Sequence, residues 1–282
     1  MSLKVASIQM RMSESYDLNI AKAEYFVREA VINGAKIVLL PELFSSLYFC
    51  QERDTKYFSL AQERKNSPLI KKFSTLAKEL KVVLPISYFE KDKNEYYNSL
   101  VVIDADGKIL DNYRKTHIPD GPGYEEKFYF NNGNSGFKVF DTAYAKIGVG
   151  ICWDQWFSES ARILTLKGSE LLFYPTAIGS EPEIKLDSKN MWQNVQIGHA
   201  IANTIPLITA NRVSKETSVS CELTFYGSSF MCNHRGEVVV EASRESEEII
   251  YAEFELEKIK EDREYWGLLR DRAPKSYSDI TE

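Results

Sequence analysis

Two apolar runs in this chain are punctuated in the same way. Residues 37–41, IVLLP, and residues 171–175, LLFYP, each end on a proline, which cannot donate to a ladder and so closes a strand. Each follows a segment of helical periodicity that stops at glycine. Ile20, Ala23, Val27, Ala30 and Val31 recur at helical spacing before Gly34, and residues 157–167 form a second such segment before Gly168. Buried strands alternating with helices require layers, so the chain is restricted to an α/β arrangement.

The alternation runs the whole length. Residues 3–10 read as a short buried strand. Ser67-Pro68 reads as an N-cap with proline at the first helical position, and Leu69, Ile70, Phe73, Leu76, Ala77 and Leu80 line one face of the helix that follows. Residues 82–89 are a strand, and 99–113 a hairpin turning at Asp106-Gly107. Further on come a strand at 146–151, a helix over 188–204, a strand at 206–213 and a hairpin over 227–242 with Gly236 in its turn. A late strand at 247–256 and a charged helix over 257–270 complete the chain. No linker divides it, and 282 residues suffice for one large core, so a single domain over 1–282 is expected. A four-layer α-β-β-α sandwich and a doubly wound sheet satisfy the periodicity equally well.

Composition excludes several functions. The net charge of −6 comes with no Lys/Arg block, which argues against a nucleic-acid partner. No apolar run approaches the roughly 18 residues that span a bilayer, and the first ten residues do not read as a secretory leader. Four cysteines with no C-x-x-C pair fit free thiols in a reducing cytoplasm. Three histidines without H-E-x-x-H make a metal improbable.

Three polar residues stand just beyond apolar strands, where layered α/β folds place ligands: Glu42, Lys115 and Cys152. Each has an ordinary reading: a helix-starting glutamate, a solvated lysine, a small buried thiol. Together they make coherent chemistry. A thiol needs a base to become a nucleophile, and a carboxylate in a low-dielectric site can be that base. A fixed ammonium and the Trp153 N–H can hold the oxyanion that forms on an attacked carbonyl, and that amide can also favour the thiolate. Gly148 and Gly150 give the strand-to-helix turn room, as in a nucleophile elbow. Serine–histidine catalysis competes poorly. His117 could line the Lys115 site, His199 lies in a helical pattern as a packed or networked residue, and His234 lies in a turn.

The stretches LLPELF, YRKTHIP and GVGICWDQWF, in that order and with their key residues 73 and 37 positions apart, resemble the signature blocks of the nitrilase (carbon–nitrogen hydrolase) superfamily. The resemblance implies an α-β-β-α sandwich, a Glu42–Lys115–Cys152 triad, and no metal or cofactor. It also implies homo-oligomers built from dimers, with residues 257–282 used in subunit contacts. A second glutamate that positions substrate and lysine matches Glu126 in YEEKFYF. Ser158 departs from the proline many relatives have there, and RDRAPKSY matches the terminal motif loosely.

Within the superfamily, HIPDGPGYEEKFYFNNG, ICWDQWF, YPTAIGSEP and MWQNVQIGHAIANTIPL resemble the branch that hydrolyses N-carbamoylputrescine. That resemblance implies attack of Cys152 on a ureido carbonyl, loss of ammonia, and hydrolysis of a carbamoyl thioester to carbon dioxide and putrescine. It further implies that Glu181 meets the substrate ammonium, with Asp120, Tyr48, Thr176 and Ala177 lining the pocket. No Arg or His stands between residues 153 and 157, so a substrate carboxylate would lack a partner there, whereas a cationic tail suits carboxylates and aromatic faces. Expected, then, is a cytoplasmic amidohydrolase of a small cationic ureido compound. A carbamoyl amino acid or ω-amide as substrate, or a non-catalytic scaffold, remain the alternatives.

Overall fold

Successive residues of the central strands pack into different cores. Leu3 and Val5 share a core with Ile37 and Leu39, while Ala6 and Ile8 share another with Val38 and Leu40. The second half repeats this: Leu171 and Phe173 point one way, Leu172 and Tyr174 the other. Strands apolar on both faces must be covered on both faces, and that need builds the molecule.

The computed structural model describes residues 2–180, 186–219 and 221–281. In the first half, β1 (Ser2–Gln9), α1 (Tyr16–Ile32), β2 (Ile37–Leu39) and α2 (Pro68–Leu80) precede β3 (Leu84–Asp92), β4 (Glu95–Ile103) and β5 (Ile109–Arg114). The short α3 (Glu126–Tyr129) leads to β6 (Val139–Asp141), β7 (Lys146–Val149), α4 (Ser158–Leu166), β8 (Leu171–Thr176), α5 (Lys189–Asn203) and β9 (Leu207–Asn211). Then come β10 (Val213–Thr217), β11 (Glu222–Tyr226), β12 (Phe230–Cys232), β13 (Val238–Glu241), β14 (Glu248–Glu255) and α6 (Leu256–Trp266).

One sheet runs β14-β1-β2 and continues through a parallel bridge between Ile37 and Val83 into β3-β4-β5. The other runs β13-β12-β9-β8-β7-β6, with β7, β8 and β9 parallel. The two sheets share the first core, α1 and α2 cover the outer face of one, and α4 and α5 cover the outer face of the other. This is the four-layer α-β-β-α sandwich. A doubly wound sheet is excluded because the parallel strands divide between two facing sheets.

The local signals hold at several points. Ser67 Oγ accepts from Ile70 N–H at 3.1 Å, and Gly107 and Gly236 adopt φ of +86° and +84° in their turns. Several boundaries differ, three of them for a visible reason. The strand expected from residue 99 starts at Glu95 and pairs with β3 along its whole length, through a turn in which Lys93 takes a left-handed φ of 56°. A lysine there carries no glycine signal. The run 206–213 breaks after Asn211, and β10, which shows no clean alternation, pairs with β11 in a hairpin. The last helix ends at Trp266, four residues early, because Gly267 caps it at φ +66°. Among the described residues, no helix is long and apolar enough to cross a membrane.

Candidate active site

The carboxyl ends of β2, β5, β7 and β8 converge. Lys115, one residue past β5, is wholly buried, and its Nζ donates to Glu42 Oε1 at 2.9 Å and to Glu126 Oε2 at 2.6 Å. Two of its three N–H bonds are thereby used, and among the described residues no acceptor takes the third, which can meet a substrate oxygen. Glu42 Oε1 also accepts from Asn98 Nδ2 at 2.6 Å, while its Oε2 is buried with no hydrogen-bond partner among the described residues. Glu126 Oε1 accepts from the Tyr48 hydroxyl at 2.7 Å.

Two buried carboxylates flank one ammonium. Burial, opposed by Lys115 and reinforced by the charge of Glu42, raises Glu126 to about 7. Burial pulls Lys115 down, but the charges of Glu126 and Glu42 outweigh it and hold the ammonium well above the ordinary lysine value.

Cys152 follows β7 on a one-turn 3₁₀ segment, Cys152–Trp156, and adopts a left-handed φ of 42°. For a non-glycine residue that conformation is strained, as in a nucleophile elbow. Gly150 makes the turn possible, since a Cβ there would lie 2.5 Å from the Tyr174 ring; one at Gly148 would lie 2.8 Å from Ser169 Oγ. The thiol donates to the Ala177 carbonyl at 3.8 Å. Burial first, then the charge of Glu42, push its pKa well up, and Lys115 offsets this only in part. Desolvation thus opposes the thiolate that the turn amides would favour, so proton removal by a base is needed for attack.

The elbow is held by a residue that the sequence reading passed over. Asp154 is fully buried. Its Oδ2 accepts from Ile151 N–H at 2.9 Å and from the Tyr113 hydroxyl at 2.7 Å, and its Oδ1 from His117 N–H at 3.0 Å, with His117 Nδ1 at 2.7 Å. It thus ties the Cys152 turn to the segment just after Lys115. Its signal was the Asp two residues past the cysteine, a position from which a carboxylate can reach back to turn amides. Asn98 left a fainter trace, a polar residue inside an apolar strand.

A cavity of about 360 Å³ opens in front of Cys152, lined among others by Trp153, Trp156, Tyr124, Asp120, Glu126 and Ala177. Four of the expected pocket residues, Trp153, Asp120, Glu126 and Ala177, thus line it. Tyr48 and Thr176 stand behind it. Tyr48 holds Glu126, and Thr176 is buried, giving its hydroxyl to Gln155 at 2.9 Å and its carbonyl to Glu42 N–H at 3.4 Å. His117 does not line the cavity: it binds Asp154 and stacks on Phe157 with ring centroids 3.7 Å apart. His199, as expected of a networked core histidine, meets the Gln155 carbonyl at 2.9 Å. Glu181 lies outside the described residues. Among those described, no group of three His, Cys, Asp or Glu is placed to hold a metal.

Residues 4–264 match the carbon–nitrogen hydrolase family. The chain belongs to that family. An N-carbamoylputrescine amidase from Arabidopsis thaliana is 52% identical over 278 residues, which cover 97% of this chain and 93% of the relative. A citrullinase from Francisella tularensis subsp. tularensis is 51% identical over 280 residues, covering 99% and 98%. The crystal structure of a carbon–nitrogen hydrolase from Helicobacter pylori G27 superposes with a TM-score of 0.94 at 41% identity, covering 100% of this chain and 99% of that one. The sandwich expected from the resemblance is the family's fold, and this carbon–nitrogen hydrolase is an amidohydrolase.

Proposed function

We propose that this hydrolase removes the terminal ureido nitrogen of N-carbamoylputrescine. The observation that carries the reading is the charge of the cavity before Cys152. Its described lining includes the carboxylate of Asp120 and no lysine or arginine, beside the aromatic faces of Trp153, Trp156 and Tyr124, while Glu126 is already held by Lys115 and Tyr48. Such a lining suits an ammonium tail and leaves a carboxylate without a partner.

The chemistry follows from the placed groups. Glu42, through its unpartnered Oε2, takes the thiol proton as Cys152 attacks the ureido carbonyl. The free N–H of Lys115 and the Trp153 N–H hold the oxyanion. The proton passes to the leaving nitrogen, ammonia departs, and a carbamoyl thioester remains. Glu42 then takes a proton from water, hydroxide adds to the thioester, and the thiol is restored. The released carbamate breaks into carbon dioxide and putrescine.

A second reading is citrulline, which carries the same ureido group on a tail with both an ammonium and a carboxylate; the 51% identical citrullinase favours it. Ammonia release from a panel of N-carbamoylputrescine, citrulline, N-carbamoyl-β-alanine and an ω-amide decides between them. The proposal expects kcat/KM for the first to exceed the others by about 100-fold or more, the order of one unpaired buried charge. A higher value for citrulline transfers the assignment, and a higher value for the ω-amide removes the ureido reading altogether.

A further inference from the structure

The loop that carries Glu42 is buried, and a buried loop must find partners for its carbonyls. It finds them 170 residues away in sequence. Arg212, at the junction of β9 and β10, has a fully buried guanidinium. Its Nη2 donates to the carbonyls of Glu42 at 2.8 Å and Leu43 at 3.3 Å, and its Nη1 to the Ser46 carbonyl at 3.4 Å. Nη1 also meets Glu216 Oε1 at 2.8 Å, and Glu216 Oε2 in turn accepts from Tyr48 N–H at 2.6 Å. Leu43, between these contacts, is held at a left-handed φ of 48°.

The pair therefore grips both ends of one short segment. At one end is the backbone of Glu42, whose carboxylate meets Lys115. At the other is the backbone of Tyr48, whose hydroxyl meets Glu126, the second carboxylate on Lys115. A parallel bridge from Arg212 to Met10 joins the same point to the end of β1, so it is anchored to both sheets. Neither Arg212 nor Glu216 lines the cavity.

We propose that Arg212 and Glu216 are positioning residues that set the two carboxylates against Lys115 and keep Glu42 aimed at the thiol. The inference rests on the reading of Glu42 as the base. A guanidinium is needed because its planar fork reaches three carbonyls and a carboxylate at once, which an ammonium cannot. Misplacing a base by about an ångström costs on the order of 100-fold in rate while leaving substrate binding intact.

The test compares Arg212→Met, Arg212→Lys and Glu216→Gln with the native enzyme. It uses steady-state ammonia release, the rate of Cys152 alkylation by iodoacetamide, and the urea midpoint. The expected result for Arg212→Met is a kcat about 100-fold lower with KM changed less than about threefold, and alkylation slowed in the same proportion. Arg212→Lys should recover only part of the loss. If Arg212→Met does not fold, Glu216→Gln carries the test. It keeps the shape and leaves Arg212 on the carbonyls, and it should lower kcat about tenfold at unchanged KM. Full kcat in a folded variant overturns the inference, as does a loss that appears in KM. Glu42→Gln separates the two levels: if it still turns over, the base assignment itself fails; if it is inactive while Arg212→Met is active, only the positioning role fails.

Discussion

The two segments that carry Cys152 and Glu42 solve the same mechanical problem with opposite charges. The Cys152 elbow and the Glu42 loop each leave a buried strand, and each holds a non-glycine residue at positive φ: Cys152 at 42°, Leu43 at 48°. The elbow presents the Ile151 N–H inward, and Asp154, two residues past the nucleophile, accepts it together with the His117 N–H from the segment after Lys115. The loop presents carbonyls, and a donor, Arg212, gathers those from far along the chain. Strain of about 1–3 kcal/mol per such residue persists only where the surroundings over-determine it. Here the local peptide polarity decides whether the clamp is an anion or a cation.

The largest effect tests whether the two segments form one machine. Cys152→Ala and Glu42→Gln should each lower ammonia release by at least about 10⁴-fold, the loss expected when a nucleophile or its base is removed. Turnover by the alanine variant would break the comparison at its root, since the elbow would then hold no reacting group.

Asp154→Asn sharpens the contrast of signs. The amide keeps one acceptor oxygen but turns an NH₂ toward groups that donate to Asp154 now. The expected cost is about 2–3 kcal/mol in urea unfolding, with kcat down about 100-fold. A neutral effect on both would mean that the elbow keeps its strain without the carboxylate.

The smallest effect concerns Glu126. Its folded pKa, about 7, lies above the ordinary 4.5, so the native state holds that proton more tightly than the unfolded chain does. Its contribution to stability is complete below about pH 4.5 and is lost as pH rises through 7. Glu126→Gln cannot ionise, so its stability relative to the native protein should increase between pH 5 and pH 8 in urea titrations. A difference that stays constant across that range would place the surplus proton on another member of the cluster.

Much of the site was legible because its chemistry and its strand ends are local. Glu42, Lys115 and Cys152 each stand beyond an apolar strand, and the glycines before Cys152 announced the tight turn that Gly150 makes against Tyr174. Legibility failed where a residue acts through distant backbone. Arg212 in ITANRV looked like the end of a strand, and His117 looked like a pocket residue because it follows Lys115 so closely. Its ring instead serves Asp154. The β10–β11 hairpin was missed although Glu222–Phe225 alternate, because the partner strand, VSKET, does not.

The sequence by itself determined the alternation of covered strands with amphipathic helices and the three chemical groups placed after them, because side-chain period and residue chemistry are properties of short segments. Periodicity left one sheet or two open until the resemblance chose the sandwich, which the strand order bears out, and only the tertiary structure set the surroundings of the ionisable groups. Whether Cys152 rests as a thiol, or Glu126 holds a proton near neutrality, depends on desolvation and on charges brought together from residues 42, 115, 126 and 152. Those quantities exist only once the chain has closed around them.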